Sequence, residues 1–182
     1  MESARKGPPL ISPPKVRKRF RFTAVRSQPR VLIYEPSALP DIAAKLIIRD
    51  METAIHERGK CTIALAGGTS WDSVYGRMSL PWLAERIAWN NVTIFFDDDR
   101  VIGERLDILL LGVGVNRRKV PAIETAAAAY VLAAGSQKSA TVARALEGPW
   151  NPDELPIQRA DRATWLLDTH AARRLRGKWH RE

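Results

Sequence analysis

Six short runs in this chain are apolar at nearly every position, and no other feature of the sequence constrains its fold as strongly. They are Val31 to Tyr34, Cys61 to Ala66, Val92 to Phe96, the stretch from Asp107 to Gly112, Tyr130 to Ala134, and Thr164 to Leu167. A strand that is apolar throughout, rather than at alternate positions, has both faces buried; such strands form parallel sheets with helices on each side. The intervening segments supply the helices. Ile42, Leu46, Ile47, Met51 and Ile55 fall at helical spacing after Ser37 or Asp41, and Gly59 ends the pattern. Further helices are expected from Thr69 or Ser70, from Pro81 through Ile87, just after Pro121, from Ser136 to Leu146 with Gly148 closing it, and from Thr169 to Leu175. The expected fold is therefore α/β and Rossmann-like: a mainly parallel sheet with helices on both faces. Ligands of such folds sit at the carboxyl ends of the strands, so the residues that follow each run are the informative ones.

One connection is too short for this plan. Between Phe96 and Asp107 there is no segment that reads as a helix, whereas parallel neighbours need a crossover of roughly a dozen residues or more. Either the third and fourth strands are not neighbours, or a crossover has been lost. The chain also moves quickly after Gly114, through Val115-Asn116-Arg117-Arg118-Lys119 into Pro121.

Charge separates the chain into an arm and a body. Net charge is +9, but residues 1–30 hold nine Lys and Arg against Glu2 alone, so only +1 belongs to everything after. The arm also carries Pro8, Pro9, Pro13, Pro14 and Pro29, which forbid helix and discourage sheet. Residues 1–29 are expected to be a disordered basic leader, residues 30–176 the folded domain, and residues 177–182 a basic tail. The leader is either a solvated extension or a contact for nucleic acid or another acidic surface, with Phe20 and Phe22 able to stack on bases. The sequence contains no apolar run long enough to span a membrane and no signal-peptide pattern, and Cys61 is the single cysteine, so no internal disulfide is expected and a reducing, cytoplasmic setting fits.

The best local signal is Leu65-Ala66-Gly67-Gly68-Thr69-Ser70. Two glycines after a strand let the backbone approach a ligand, and the helix start offers free N–H groups, a favourable dipole and two hydroxyls to an anion. The same residues also suit a plain strand-to-helix turn with a Ser or Thr cap. Asp97-Asp98-Asp99-Arg100 follows the third run. Its carboxylates read as a solvated loop rather than a metal site, while Arg100 can clamp a phosphate with two parallel hydrogen bonds. Gly135-Ser136-Gln137-Lys138 follows the fifth run and directs Lys138 to the same end of the sheet, as a phosphate partner or as an ordinary surface lysine. The histidines, His56, His170 and His180, form no array with a nucleophile or a carboxylate, and no metal-ligand spacing or dinucleotide fingerprint is present. No metal and no cofactor is expected.

Taken in order, these segments resemble the 6-phosphogluconolactonase family and its glucosamine-6-phosphate deaminase relatives. The resemblance is carried by Ala64 to Ser70, by Trp89 to Arg100 where the family ends on Gly-Asp-Glu-Arg, by Leu106 to Gly114, by Val131 to Gly148 with Gly135 and Lys138 in the place of Gly-x-x-Lys, and by Arg162 to Asp168. It implies a sugar-phosphate ligand held by Gly67, Gly68, Thr69, Ser70, Arg100 and Lys138, and hydrolysis of 6-phosphogluconolactone to 6-phosphogluconate in the pentose phosphate pathway. Two departures stand against full activity. The family's helical stretch after its Asp-Glu-Arg is replaced by Val101 to Arg105, and its Glu-Asp-Gly-His-Thr is absent where Gly114 runs into Val115. The resemblance thus implies a truncated fold with no counterpart to the catalytic histidine, so no catalytic residue is assigned. The alternatives are a non-catalytic sugar-phosphate-binding protein and a basic-arm interaction protein on a remnant fold.

Overall fold

The computed structural model describes residues 28–96 and 105–181. The leader up to residue 27 and the acidic segment with Arg100 lie outside the described residues.

All six expected strands form: β1 (Arg30–Tyr34), β2 (Cys61–Leu65), β3 (Val92–Phe96), β4 (Ile108–Gly112), β5 (Ala128–Ala133) and β6 (Thr164–Asp168). A seventh, β7 (His180–Arg181), has no sequence signal and adds to the outer edge of β1. The sheet order is β3-β2-β4-β5-β6-β1-β7, and every pairing is parallel. Five α-helices are described: α1 (Leu39–Arg58), α2 (Thr69–Met78), α3 (Pro81–Ala84), α4 (Val120–Thr125) and α5 (Ser139–Glu147).

Successive residues of each central strand enter two separate cores, as continuous apolar runs require. Leu32, Ile63, Ile108, Leu110, Leu132 and Leu166 pack with α1 and α2 on one face. Val31, Leu109, Leu111, Val131, Trp165 and Leu167 pack with α4 and α5 on the other. Gly59 ends α1 in a left-handed conformation, φ 72°, and donates its N–H to the Ile55 carbonyl.

The short connection has a topological answer. β3 and β4 are not neighbours; β2 lies between them and pairs with both. β3 is therefore an edge strand, with Ile94 46% and Phe96 66% exposed. At the other end of β4, the Asp107 carboxylate accepts the Thr62 N–H at 2.7 Å and pairs with Arg58 at 2.8 Å, fixing β4 against β2.

The helix expected from Thr169 to Leu175 does not form; the segment is a series of turns. The Thr169 N–H is taken by the Tyr34 carbonyl at 3.0 Å, and that of Ala171 by the Asp168 carboxylate at 2.6 Å. Ala171 and Ala172 are buried, as the apolar segment requires, but the backbone closes separate turns, Ala172 N–H to the Asp168 carbonyl at 3.0 Å and Leu175 N–H to the Ala172 carbonyl at 2.9 Å, that do not continue as one helical ladder.

Candidate functional site

A cleft of about 410 Å³ opens at the carboxyl ends of β2, β4 and β5. Its first wall is the turn after β2. Gly68 is the N-cap of α2 at φ 111°, a conformation that favours glycine, so the cap itself brings no side chain to the helix start. Thr69 and Ser70 thus stand in the first turn of α2, at the positive end of its dipole. Two side chains brace this turn. The Tyr75 hydroxyl donates to the Ala66 carbonyl at 2.7 Å and accepts the Ala66 N–H at 3.1 Å, bracing the end of β2. The buried Trp71 indole donates to the Leu111 carbonyl at 3.1 Å, tying α2 to β4.

The second wall follows β5. Gly135, at φ 88°, opens a 3-10 turn over Ser136–Lys138, and its N–H is held at 2.8 Å by the buried Asp168 carboxylate from β6. That turn brings Lys138 to the cleft. Between the two walls, after β4, the chain makes a 3-10 turn over Arg117–Lys119. The Asn116 side chain accepts the Arg118 N–H at 3.0 Å, and both Asn116 and Lys119 line the cleft.

Five of the six residues expected from the sequence therefore meet in one cleft: Gly67, Gly68, Thr69, Ser70 and Lys138. The sixth, Arg100, lies outside the described residues. Sequence reasoning missed Lys119, Asn116, Trp71 and Tyr75. The run Asn116-Arg117-Arg118-Lys119 before Pro121 was a visible signal for a capped basic turn, whereas the roles of Trp71 and Tyr75 depend on contacts between elements.

The described lining of the cleft carries positive charge. Among the described lining residues the charged groups are Lys119 and Lys138, with no carboxylate and no imidazole. His56 lies in α1, His170 in the turns after β6 and His180 in β7, none of them among the lining residues. Burial pushes the Tyr75 hydroxyl up to about 12, so it stays protonated as a brace; its bond to Ala66 lowers it and the Asp72 charge raises it by less. The Cys61 thiol is likewise raised to about 11, by burial and then by the Asp107 charge, partly offset by Arg58, which makes it a core residue rather than a nucleophile. Among the described residues no group of three or more His, Cys, Asp or Glu is placed to hold a metal, and no helix is long and apolar enough to cross a membrane.

Residues 34–105 match the family model described as glucosamine-6-phosphate isomerases/6-phosphogluconolactonase. Over this segment the chain resembles the 6-phosphogluconolactonases. A 6-phosphogluconolactonase from Nostoc sp. is 29% identical over 68 residues, 37% of this chain and 27% of that protein, so the matched segment spans about a quarter of the curated relative's length. The fold likeness is broader. A 6-phosphogluconolactonase from Trypanosoma brucei superposes with a TM-score of 0.63 at 14% identity, covering 82% of this chain and 99% of that one. The enzyme from Shewanella baltica gives 0.63 at 14% identity, covering 79% and 98%. A monomeric glucosamine-6-phosphate deaminase gives 0.62 at 16% identity, covering 79% and 99%. At such identities these structures speak for the fold, and the family resemblance rests on residues 34–105.

Proposed function

We propose that this chain is a 6-phosphogluconolactonase-like protein that binds a sugar phosphate in the cleft and hydrolyses 6-phosphogluconolactone poorly or not at all. The observation that carries the binding half is the convergence of Gly67, Gly68, Thr69, Ser70 and Lys138 on one cleft at the carboxyl ends of three adjacent strands. The α2 N–H groups and hydroxyls would hold the phosphate and the Lys138 ammonium would add opposite charge. Arg100, which follows β3 in sequence, is proposed as a further phosphate clamp. The impaired half is supported by the described lining residues, which include no histidine or carboxylate to activate water; losing a positioned base costs a factor of ~10² to 10⁴ in rate. The pentose phosphate pathway and a reducing, cytoplasmic location belong to the same proposal, the latter supported by a single, free and buried cysteine.

The test compares lactone hydrolysis with the spontaneous rate, alongside calorimetric titration of 6-phosphogluconate. We expect turnover near background and a dissociation constant from millimolar to high micromolar, about 4–6 kcal/mol, weakened by Lys138→Ala. Robust turnover abolished by Arg100→Ala would overturn the impaired reading. Absence of any binding would overturn the sugar-phosphate reading and favour a remnant fold.

The concentration of positive charge in residues 1–30 supports a second role, contact of the leader with nucleic acid or another acidic surface. Such binding should need Arg17 to Arg21 and weaken steeply with salt. As a separable extension the leader should be dispensable for folding, so deleting residues 1–28 should leave the melting temperature nearly unchanged.

A further inference from the structure

The two basic ends of the chain meet in the fold. β7 pairs with β1, Leu32 with His180 and Ile33 with Arg181. The last leader residues, Gln28 and Pro29, line one cavity with Glu147, Arg176, Gly177 and Trp179. The tail reaches that point along α5. The Arg173 guanidinium donates to the Ser139 hydroxyl at 3.4 Å, at the start of the helix, and the Arg176 N–H donates to the Glu147 carboxylate at 2.9 Å, at its end. Arg173, Arg174, Arg176 and Lys178 are exposed, and so is Arg30 at the start of β1. The four tail cations form a strip about as long as α5, roughly 12 Å. Glu147, the carboxylate beside the strip, is engaged by the Arg176 and Gly177 N–H groups and the Trp179 indole. The strip thus adjoins the attachment point of a leader that carries Arg17, Lys18, Arg19 and Arg21.

We infer, on the basis of the leader's role proposed above, that the leader and this strip act together as one binding surface for single-stranded nucleic acid. A phosphodiester strand is a continuous line of negative charge, which suits cations spaced along a strip and continued by a connected basic segment. Arginine outnumbers lysine in both parts, and a guanidinium pairs with phosphate and also stacks on bases. Arg19-Phe20-Arg21-Phe22 alternates charge with aromatic rings, the combination that holds unpaired bases as well as their backbone. A duplex keeps its bases stacked inside, so it gains the charge contacts alone.

The experiment is fluorescence anisotropy of the full chain with a labelled oligothymidylate of about 16 nucleotides, over a series of salt concentrations. With the leader intact, the combined substitutions Arg173→Gln, Arg174→Gln, Arg176→Gln and Lys178→Gln should weaken binding at least about tenfold and reduce the salt slope by about 3. Arg174→Gln with Lys178→Gln spares the contacts of Arg173 and Arg176, should keep the wild-type melting temperature, and should reduce the slope by about half as much. Lys60→Gln with Arg105→Gln, exposed and beside β2 and β4 across the sheet, removes the same charge and should leave affinity within about twofold. The single strand should bind at least about threefold more tightly than a duplex of equal length, and Phe20→Ala with Phe22→Ala should erase that margin. Unchanged affinity and slope in both tail variants would overturn the inference and leave the leader acting alone. Equal losses in the tail and control pairs would overturn it in favour of net charge, and a duplex bound as tightly as the single strand would overturn it in favour of charge contacts alone. Failure of the wild-type protein to bind at low salt would overturn the leader's nucleic-acid role and the inference with it.

Discussion

β4 and β3 flank β2, one on each side, and each is five residues long and rich in apolar side chains. Their surroundings differ completely. β4 has Ile108 and Leu110 in one core and Leu109 and Leu111 in the other, all at most 1% exposed. On β3, Ile94 and Phe96 stand in the open, and together with Leu65, Tyr75, Met78 and Trp89 they border an apolar groove of about 490 Å³. In a parallel sheet the cover of a strand comes from the connections that cross it, not from the strand itself. β4 lies under connections on both faces. β3 is followed by the short stretch in which the family resemblance implies a lost helical segment.

That contrast can be broken or sharpened by mutation. The largest effect is expected in β4: Leu110→Ala should cost about 2–5 kcal/mol of folding stability, read from chemical denaturation. Phe96→Ala in β3 should cost under about 1 kcal/mol. Equal losses would mean that something covers the edge strand. Next is the support of the cleft from β6. Asp168→Ala strips the acceptor from the Gly135 and Ala171 N–H groups and should cost about 1–3 kcal/mol, with a parallel loss of sugar-phosphate affinity as the Lys138 turn loosens. Unchanged affinity would show that this turn holds itself.

Smaller still is the effect of polar substitution at the edge. Ile94→Lys combined with Phe96→Lys should change stability by less than about 1 kcal/mol while reducing self-association at high concentration, because lysines on an edge strand oppose strand addition. Sedimentation velocity would decide this; a wild-type protein monomeric at every concentration would show that the exposed edge is not adhesive.

The smallest effect concerns Glu147. Desolvation pushes its carboxyl upward, but hydrogen bonds from the Trp179 indole and the Gly177 and Arg176 N–H groups, with the Arg176 charge, outweigh it and leave the group below its ordinary value. A lowered carboxylate contributes stability above its unfolded pKa that is lost as pH falls through the folded one. Glu147→Gln should slightly lower stability above about pH 6, where the ionised carboxylate contributes fully, and flatten the acid side of the profile, with little change once the carboxylate is protonated. An unchanged acid limb would mean that the tail contact is not formed in solution.

The strands were legible because burial on two faces leaves a signature in the chain itself. Cys61 to Leu65 and Ile108 to Gly112 could be placed within a residue or so for that reason. The Gly67-to-Ser70 turn was legible because a positive φ and a helix start demand particular residues. β7 was not, since two residues of pairing leave no periodicity, and the turns after Asp168 were misread because Ala171 and Ala172 are as apolar in a turn as in a helix.

The sequence by itself determined the parallel α/β architecture, the glycine turn that opens α2, the presence of Lys138 after a strand, and the shortness of the link between β3 and β4. Those are local: they follow from burial pattern, backbone conformation and chain length. Only the tertiary structure decided that β2 lies between β3 and β4, that Lys119 joins Lys138 in one cleft, and that Asp168 of one strand holds the turn after another. These are contacts between residues distant in the chain, set by strand order, and no local pattern encodes which strand becomes whose neighbour.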